Sequence, residues 1–303
     1  MTINIKTALK LGIRAVIKNR RVVILLWAFN VVAALILSMP IYYILDDSLR
    51  HSLLSADLYN TFQHIWFQQF LKSYSTNIGE IPFVFYSMVG FYVLIQTFFL
   101  GGLIAIFSSP KKNHMVDFFY GGVKYWLRFT RVLFISIIFF YLAFKFNDYT
   151  GDLIQWAYQN SDNALMEFIF RALRYVLLVF LIGIVTIISD YSKISLAVKD
   201  SYKSLREIFN TIIFLRKNFT KVFTVFLIVA VIGALGSIIY NLIGRYIPRT
   251  PYYYLFLLFI IQQMLIIFRL FVRMLFCSTE VILFKDLSAE VLNVKVTEQK
   301  VGV

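Results

Sequence analysis

The chain has 303 residues, 60% of them hydrophobic and only 15% charged, with a net charge of +14. Soluble domains carry roughly 25% charged residues, so a water-soluble fold is excluded, and in so apolar a chain the positive charge points to anionic lipid rather than to nucleic acid. The single Cys277 rules out intramolecular disulfides and multi-cysteine metal motifs, and His51, His64 and His114 show no ligand-like spacing, so no metal or cofactor is expected.

Residues 1–21 form a basic leader in which Ile5, Leu9, Ile13, Val16 and Ile17 share one helical face, while Lys6, Lys10, Arg14 and Lys18 recur every four residues beside it. That pattern predicts a helix lying in the membrane surface, apolar face in the acyl chains and cations at the phosphates. Residues 22–45 follow, interrupted only by Asn30, Ser38 and Pro40. A run of this length crosses a hydrocarbon core of about 30 Å. It is too long for a signal-peptide core and lacks a small-x-small cleavage pattern, so it reads as an uncleaved anchor. Leu54, Leu58, Phe62, Ile65 and Phe70 then have helical spacing, with Gln63, Gln68 and Gln69 facing away. They predict a second interfacial helix, on the outer surface.

Further spans are expected at 81–107, 222–243 and 252–276, each a long apolar run. The middle pair is shorter. Residues 132–144 reach full length only if Trp126 and Phe146 are included and Lys145 snorkels, and residues 175–188 only if extended back to about 164; a pair of re-entrant segments is the alternative. With six spans, 21 of the 30 Lys and Arg residues fall on the side of the two termini and seven on the other, leaving Arg269 and Arg273, whereas the acids divide evenly. The positive-inside rule then puts both termini in the cytoplasm of a cytoplasmic (inner) membrane. Tyr42, Tyr43, Trp126 and Tyr252 to Tyr254 fall near span ends as interfacial anchors.

Three segments can be overlaid. "LRFTRVLF" (127–134) matches "KNFTKVFT" (217–224) at an offset of 90, and "NRRVVILL" (19–26) fits the same frame at an offset of 110. Each follows an amphipathic stretch: the leader, then Phe118, Phe119, Val123 and Trp126, then Leu205, Ile208, Phe209, Ile212 and Ile213. Each precedes two spans. The chain therefore reads as an all-α polytopic membrane protein, one domain over 1–303, with six transmembrane helices in three helical-hairpin repeats (about 3–107, 114–199 and 200–286), interfacial amphipathic helices and a polar tail at 287–303. The Asn218 sequon lies on the cytoplasmic side and carries no meaning for glycosylation.

The stretch 190–228, "DYSKISLAVKDSYKSLREIFNTIIFLRKNFTKVFTVFLI", resembles a group of uncharacterised multi-pass bacterial membrane proteins. In these, D-Y-[AS]-[KR]-[IV] closes one span, an acid follows about ten residues on, and an amphipathic helix with a basic dipeptide opens the next; here these are Asp190, Tyr191, Ser192, Lys193, Ile194, Asp200, Arg216 and Lys217. The layout is more distantly similar to the membrane domain attached to some glycerophosphodiester phosphodiesterases, without their catalytic domain. The resemblance implies a membrane fold and no established activity.

No phosphate-binding G-x-x-x-x-G-K loop, H-E-x-x-H or G-x-S-x-G motif occurs, and an enzyme is not expected. Glycines 101, 102, 121, 122, 233 and 236 read as helix packing and connection sites, with Ala230 and Ala234, and Gly233 and Ser237, as small-xxx-small pairs. Asn30, Gln96, Gln262 and Gln263 read as interhelical hydrogen-bonding groups.

Arg269 and Arg273 are different, because a charge at the bilayer centre costs at least about 2.5 kcal/mol. Arg273 lies three residues from the end of its span and Arg269 seven, about 10 Å. At 100° per residue Gln262, Arg269, Arg273 and Glu280 fall within about 40° of one another, a polar stripe running to the inner surface. Glu280 also matches Asp190 at the offset of 90. Either an arginine pairs with Asp190 or Glu280 and locks helices together, or the stripe lines a cytoplasm-facing cavity that takes an anionic group. The expected function is non-enzymatic scaffolding or organisation of lipids or partner proteins at the cytoplasmic leaflet, with membrane lipids, anionic headgroups foremost, and membrane proteins or further copies as partners. The alternative is a transporter or channel-like protein for an anionic or amphipathic substrate, with Arg269 and Arg273 as its binding charges.

Overall fold

The computed structural model describes residues 4–50, 64–108, 114–159, 163–248 and 253–301, and every element among them is a helix. In chain order these are α1 (Ile5–Lys18), α2 (Arg20–Arg50), α3 (His64–Ser73), α4 (Ser75–Ser108), α5 (His114–Tyr158), α6 (Ala164–Val198), α7 (Ser204–Tyr246) and α8 (Tyr253–Val301). Six of them, all but α1 and α3, are long and apolar enough to cross a membrane. The protein is a polytopic all-α membrane protein. The short apolar cores of the middle pair sit inside helices that run well beyond them at both ends, so α5 and α6 have full spanning length where re-entrant segments were the alternative. The last span does not stop near 276. α8 continues through Glu280 and Lys285, because Cys277 to Glu280, Val281, Leu283, Phe284 and Leu287 are buried and give its far end a core to follow.

The chain forms two compact units, residues 21–96 and residues 1–20 with 97–303. In the first, Tyr92 of α4 donates to the Asn30 side chain of α2 at 2.7 Å, and Gln96 reaches the same oxygen at 3.5 Å. Phe29 stacks on Tyr92 at 6.1 Å, and Tyr74, just after α3, donates to Asp47 at 2.5 Å. Asn30 and Gln96 thus join two helices by hydrogen bonds, which is what an amide in a span requires. The outer interfacial helix expected over residues 54–70 lies mostly outside the described residues; its described part is α3, along which Trp66, Phe70 and Tyr74 form a ladder of rings.

In the second unit three amphipathic segments dock on the ends of three spans. α1 lies on α8: Gly12 faces the Thr279 methyl, which a Cβ at that position would meet at 2.5 Å, and Ser278 donates to the Gly12 carbonyl at 3.3 Å. The start of α5 lies on α4 through paired glycines. A side chain at Gly102 would strike the Phe118 ring and carbonyl at 2.6 Å, and one at Gly121 would overlap Ala105, so the two backbones touch. The start of α7 lies on α6, with Tyr191 against Phe214 at 6.0 Å, and both against Phe284 of α8. Positions matched by the sequence offsets are buried alike: Ala8, Phe118 and Ile208 are 0, 0 and 5% exposed, and Val22, Val132 and Val222 are 1, 0 and 1%.

These contacts correct one expectation. Val16, Phe118 and Ile208, assigned from the sequence to acyl chains, are covered by protein. The outward apolar faces are Ile13 and Ile17 on α1, Phe119 and Val123 on α5, and Leu205, Phe209 and Ile213 on α7. An asparagine stands at two of the junctions between segment and span. The Asn19 side chain donates to the Ala15 carbonyl where α1 ends, and Asn218, with φ −119° and ψ 19°, donates to Phe214 at the kink in α7. Each gives a side-chain donor to a carbonyl of the turn before the break. The small-residue pairs expected on α7 also shift: Gly233 and Gly236 face Val272 and Phe268 of α8, while Ala234 is exposed.

Candidate functional site: a charged cavity between α4, α6, α7 and α8

The stripe Gln262, Arg269, Arg273, Glu280 does not act as one row. Gln262 and Arg269 are exposed, and Arg269 reaches the Ser237 hydroxyl of α7 at 3.5 Å. Farther along α8 the same face becomes covered. Arg273 is half-buried, and Glu280 is 4% exposed. At Arg269 this direction of α8 is open beside α7, whereas around Arg273 and Glu280 it faces residues of α4, α6 and α7, so one helical direction meets different environments.

Arg273 and Glu280 line a cavity of about 370 Å³, together with Asp190, Lys193, Thr186 and Ile194 of α6, Leu100 and Ile104 of α4, Phe226 of α7, and Phe276 and Cys277 of α8. Three of the sequence-predicted residues, Asp190, Arg273 and Glu280, therefore meet at one place, while Gln262 and Arg269 stand outside its lining. Asp190 takes its ion pair from its own helix: the Lys193 ammonium, only 9% exposed, donates to it at 3.1 Å. The i,i+3 spacing places both groups on one face of α6. Glu280 Oε1 is buried and has no hydrogen-bond partner. An unpaired buried carboxylate oxygen costs several kcal/mol, so its place on a side chain that lines a cavity is the feature to be explained.

Leu100, Asp190 and Glu280 are separated by 90 residues each, and all three line the cavity. Residues spaced by 90, one each on α4, α6 and α8, thus meet at the cavity. Leu100 was not singled out from the sequence, though carrying the offset of 90 back once more finds it. Phe226 and Phe276, 5.4 Å apart between ring centroids, form an aromatic wall that no sequence signal distinguished from ordinary packing.

A second polar cluster holds the α6–α7 turn. Asp200 has φ 49°, and Ser201 N–H donates back to the Leu196 carbonyl at 3.1 Å, a Schellman closure in which Asp occupies the left-handed position usually given to Gly. Arg128 and Lys124 of α5 grip its carboxylate at 2.6 and 2.8 Å. Their hydrogen bonds, Lys124 first and then Arg128, hold the Asp200 carboxyl below its ordinary range. The Arg128 guanidinium, 4% exposed, lies 3.5 Å from the Tyr202 ring centroid and also over Tyr125. Nearby, Glu207 at the start of α7 accepts from Ser195 at 2.7 Å and Lys199 at 2.9 Å. Both clusters tie one segment to the next, and the carboxylates of Asp200 and Glu207 in them are bonded to Lys124 and Arg128 and to Ser195 and Lys199. The cavity at Glu280 differs from both in that respect.

No known protein family, characterised protein or solved structure matches the chain.

Proposed function

We propose that this is a non-enzymatic component of the cytoplasmic membrane, with both termini in the cytoplasm, built from three repeats whose interfacial helices form a basic layer that organises anionic lipids or membrane partners. The observation that carries the reading is the two-sidedness of α1. Ala8, Gly12 and Val16 fasten it to α8, whereas Lys6, Lys10, Arg14 and Lys18 are exposed beside the outward Ile13 and Ile17. A helix bound to the protein on one side and carrying cations and apolar side chains on the other is suited to hold phosphates next to acyl chains. Arg206, Arg216 and Lys217 are similarly exposed on the start of α7. The equal burial of matched positions supports the threefold reading.

The test replaces Lys6, Lys10 and Arg14 by Glu. Each cation near an anionic surface contributes about 1 kcal/mol, so the triple charge reversal is expected to abolish retention of phosphatidylglycerol by the purified protein at physiological salt while leaving its melting temperature within a few degrees. Undiminished lipid retention would sink the reading. Labelling intact cells with a membrane-impermeant maleimide at a cysteine placed at Asp148 but not at Arg14 is the outcome that the orientation requires.

A second reading, a transporter or channel-like protein for an amphipathic substrate, is favoured by the charged cavity, with Arg273 rather than Arg269 as the binding charge. Uptake into proteoliposomes that is lost in Arg273→Gln and kept in Arg269→Gln is what it demands.

A further inference from the structure

We infer that the cavity at Glu280 binds a small zwitterion, an ammonium group joined by a short link to a phosphate or carboxylate, of the kind found in an aminophospholipid headgroup or a free amino-phosphate. Four features of the lining point there. The cavity holds two acids, Asp190 and Glu280, and two bases, Lys193 and Arg273, so a ligand with a large net charge of either sign meets as much repulsion as attraction. Asp190 and Lys193 already neutralise each other at 3.1 Å. The open valence is Glu280 Oε1, buried and unpartnered. It calls for a donor, and a charged donor makes the strongest bond to it.

The wall beside it is aromatic. Phe226 and Phe276 line the same space, and ring faces next to a carboxylate are the surroundings that favour an ammonium over a neutral donor. The guanidinium of Arg273 presents several N–H groups in a planar fork suited to phosphate or carboxylate. Arg273 and Glu280 are seven residues apart on α8, about 10 Å along the helix. A two-carbon link between ammonium and phosphate, with a charge-assisted bond of about 2.8 Å at each end, spans a gap of that order. The space fits as well: at about 30 Å³ for a water-sized group, 370 Å³ accepts such a headgroup with room for the first carbons of an attached chain. Leu100, Ile104 and Ile194 supply an apolar side on which those carbons can lie.

The site is that of the transport reading, but binding does not require transport; binding without uptake leaves the inference standing and removes only the transporter. It is also separate from the basic layer, since Lys6, Lys10 and Arg14 do not line the cavity.

The experiment titrates full-length protein in detergent with phosphatidylethanolamine, phosphatidylglycerol and free phosphoethanolamine, reading the melting temperature and the bound mass. Phosphatidylethanolamine or phosphoethanolamine is expected to raise the melting temperature and to be retained; protection by the lipid alone identifies a membrane source, and protection by the free compound a soluble one. Glu280→Gln, which keeps the side chain's shape, should weaken that binding at least tenfold, and Arg273→Gln at least fivefold, while Lys145→Gln, an exposed position on α5 away from the cavity and the basic layer, leaves it unchanged. Leu100→Trp, filling the cavity from its apolar side, should abolish binding and so guards against a Glu280 variant that fails to fold. Three results would each overturn the inference: neither ammonium compound binds, phosphatidylglycerol protects as well through the same residues, or Glu280→Gln and Leu100→Trp bind like the parent.

Discussion

Within the same two helices, α5 and α6, the end where the amphipathic segments dock buries large side chains, and much of the remaining length leaves them exposed. Phe129 and Val132 are 0% exposed and Tyr191 1%, whereas Phe134, Leu142, Leu173 and Val179 are 54 to 68% exposed. In water such shafts would aggregate; in lipid an apolar side chain gains nothing from changing an acyl neighbour for a protein one, so spans are held by close packing and hydrogen bonds instead. The packed end shows both. Glycine-to-backbone contacts, the Tyr191–Phe214–Phe284 cluster, the Arg128–Asp200 grip and the Glu207–Ser195 bond lie there. Specificity of this fold is concentrated in the layer where the amphipathic segments dock, and the shafts mainly need to be long and apolar.

Phenylalanines in the two regions give the sharpest contrast. Phe118 lies at 0% exposure between Gly102 and Phe99, so Phe118→Ala leaves a cavity and is expected to destabilise the protein by about 3 kcal/mol or more. Phe134→Ala removes a ring that is 59% exposed and should cost less than about 1 kcal/mol. Thermal unfolding of both variants in one detergent checks the ranking. Equal losses would mean that the shafts are packed as tightly as the docked layer, and the distinction would fail.

Arginines give the next contrast. Arg128 is buried, stacked on Tyr202 and bonded to Asp200 and to the Ser201 carbonyl at 3.3 Å. Its loss in Arg128→Ala removes stem packing, a ring contact and a partly exposed ion pair, together about 2 kcal/mol. Arg269→Ala loses one hydrogen bond at 3.5 Å from an exposed side chain, and stability should stay within about 0.5 kcal/mol of the parent. A double-mutant cycle of Arg128→Ala with Asp200→Asn should show coupling, whereas Arg269→Ala with Asp200→Asn should be additive.

The shafts were the more legible region, because length and hydropathy are all that a span must satisfy. The docked layer was half legible. Periodicity found its helices, and Ile13, Ile17, Leu205 and Phe209 do point away from the protein, but it cannot tell an apolar face turned to lipid from one turned to protein; Val16, Phe118 and Ile208, given to acyl chains, are covered by protein. The surfaces that fasten these helices are made of Ala8, Gly12 and Gly121, residues too small to leave a strong hydrophobic signal. The stripe on α8 shows the same gap at the candidate site. An arc of about 40° fixes a direction, yet what covers that direction changes along the helix, from exposed at Arg269 to cavity at Arg273 to buried at Glu280. Asp190 and Glu280, linked in the sequence by the offset of 90, do line the same cavity.

The smallest effect expected is the pH response of the turn that joins α6 to α7. Hydrogen bonds from Lys124 and Arg128 lower the Asp200 carboxyl in the folded protein, while in the unfolded chain it returns to about 3.9. A depressed carboxyl stabilises the fold above the unfolded value, and that contribution is lost as the pH falls through the folded one. The side chain is 51% exposed, so screening limits the gain to a few tenths of a kcal/mol. Asp200→Asn keeps a side chain that tolerates φ 49° and removes only the charge. The melting temperature of the variant should therefore lie slightly below the parent at pH 7 and converge with it as the pH is taken below about 4. Asp200→Gly removes the charge and the left-handed strain together, and it should lie closer to the parent at pH 7 than Asp200→Asn does. A variant gap that widened in acid would show that Lys124 and Arg128 do not hold the ionised form, and the α6–α7 turn would then owe its shape to the Leu196–Ser201 closure and the Tyr202 stack alone.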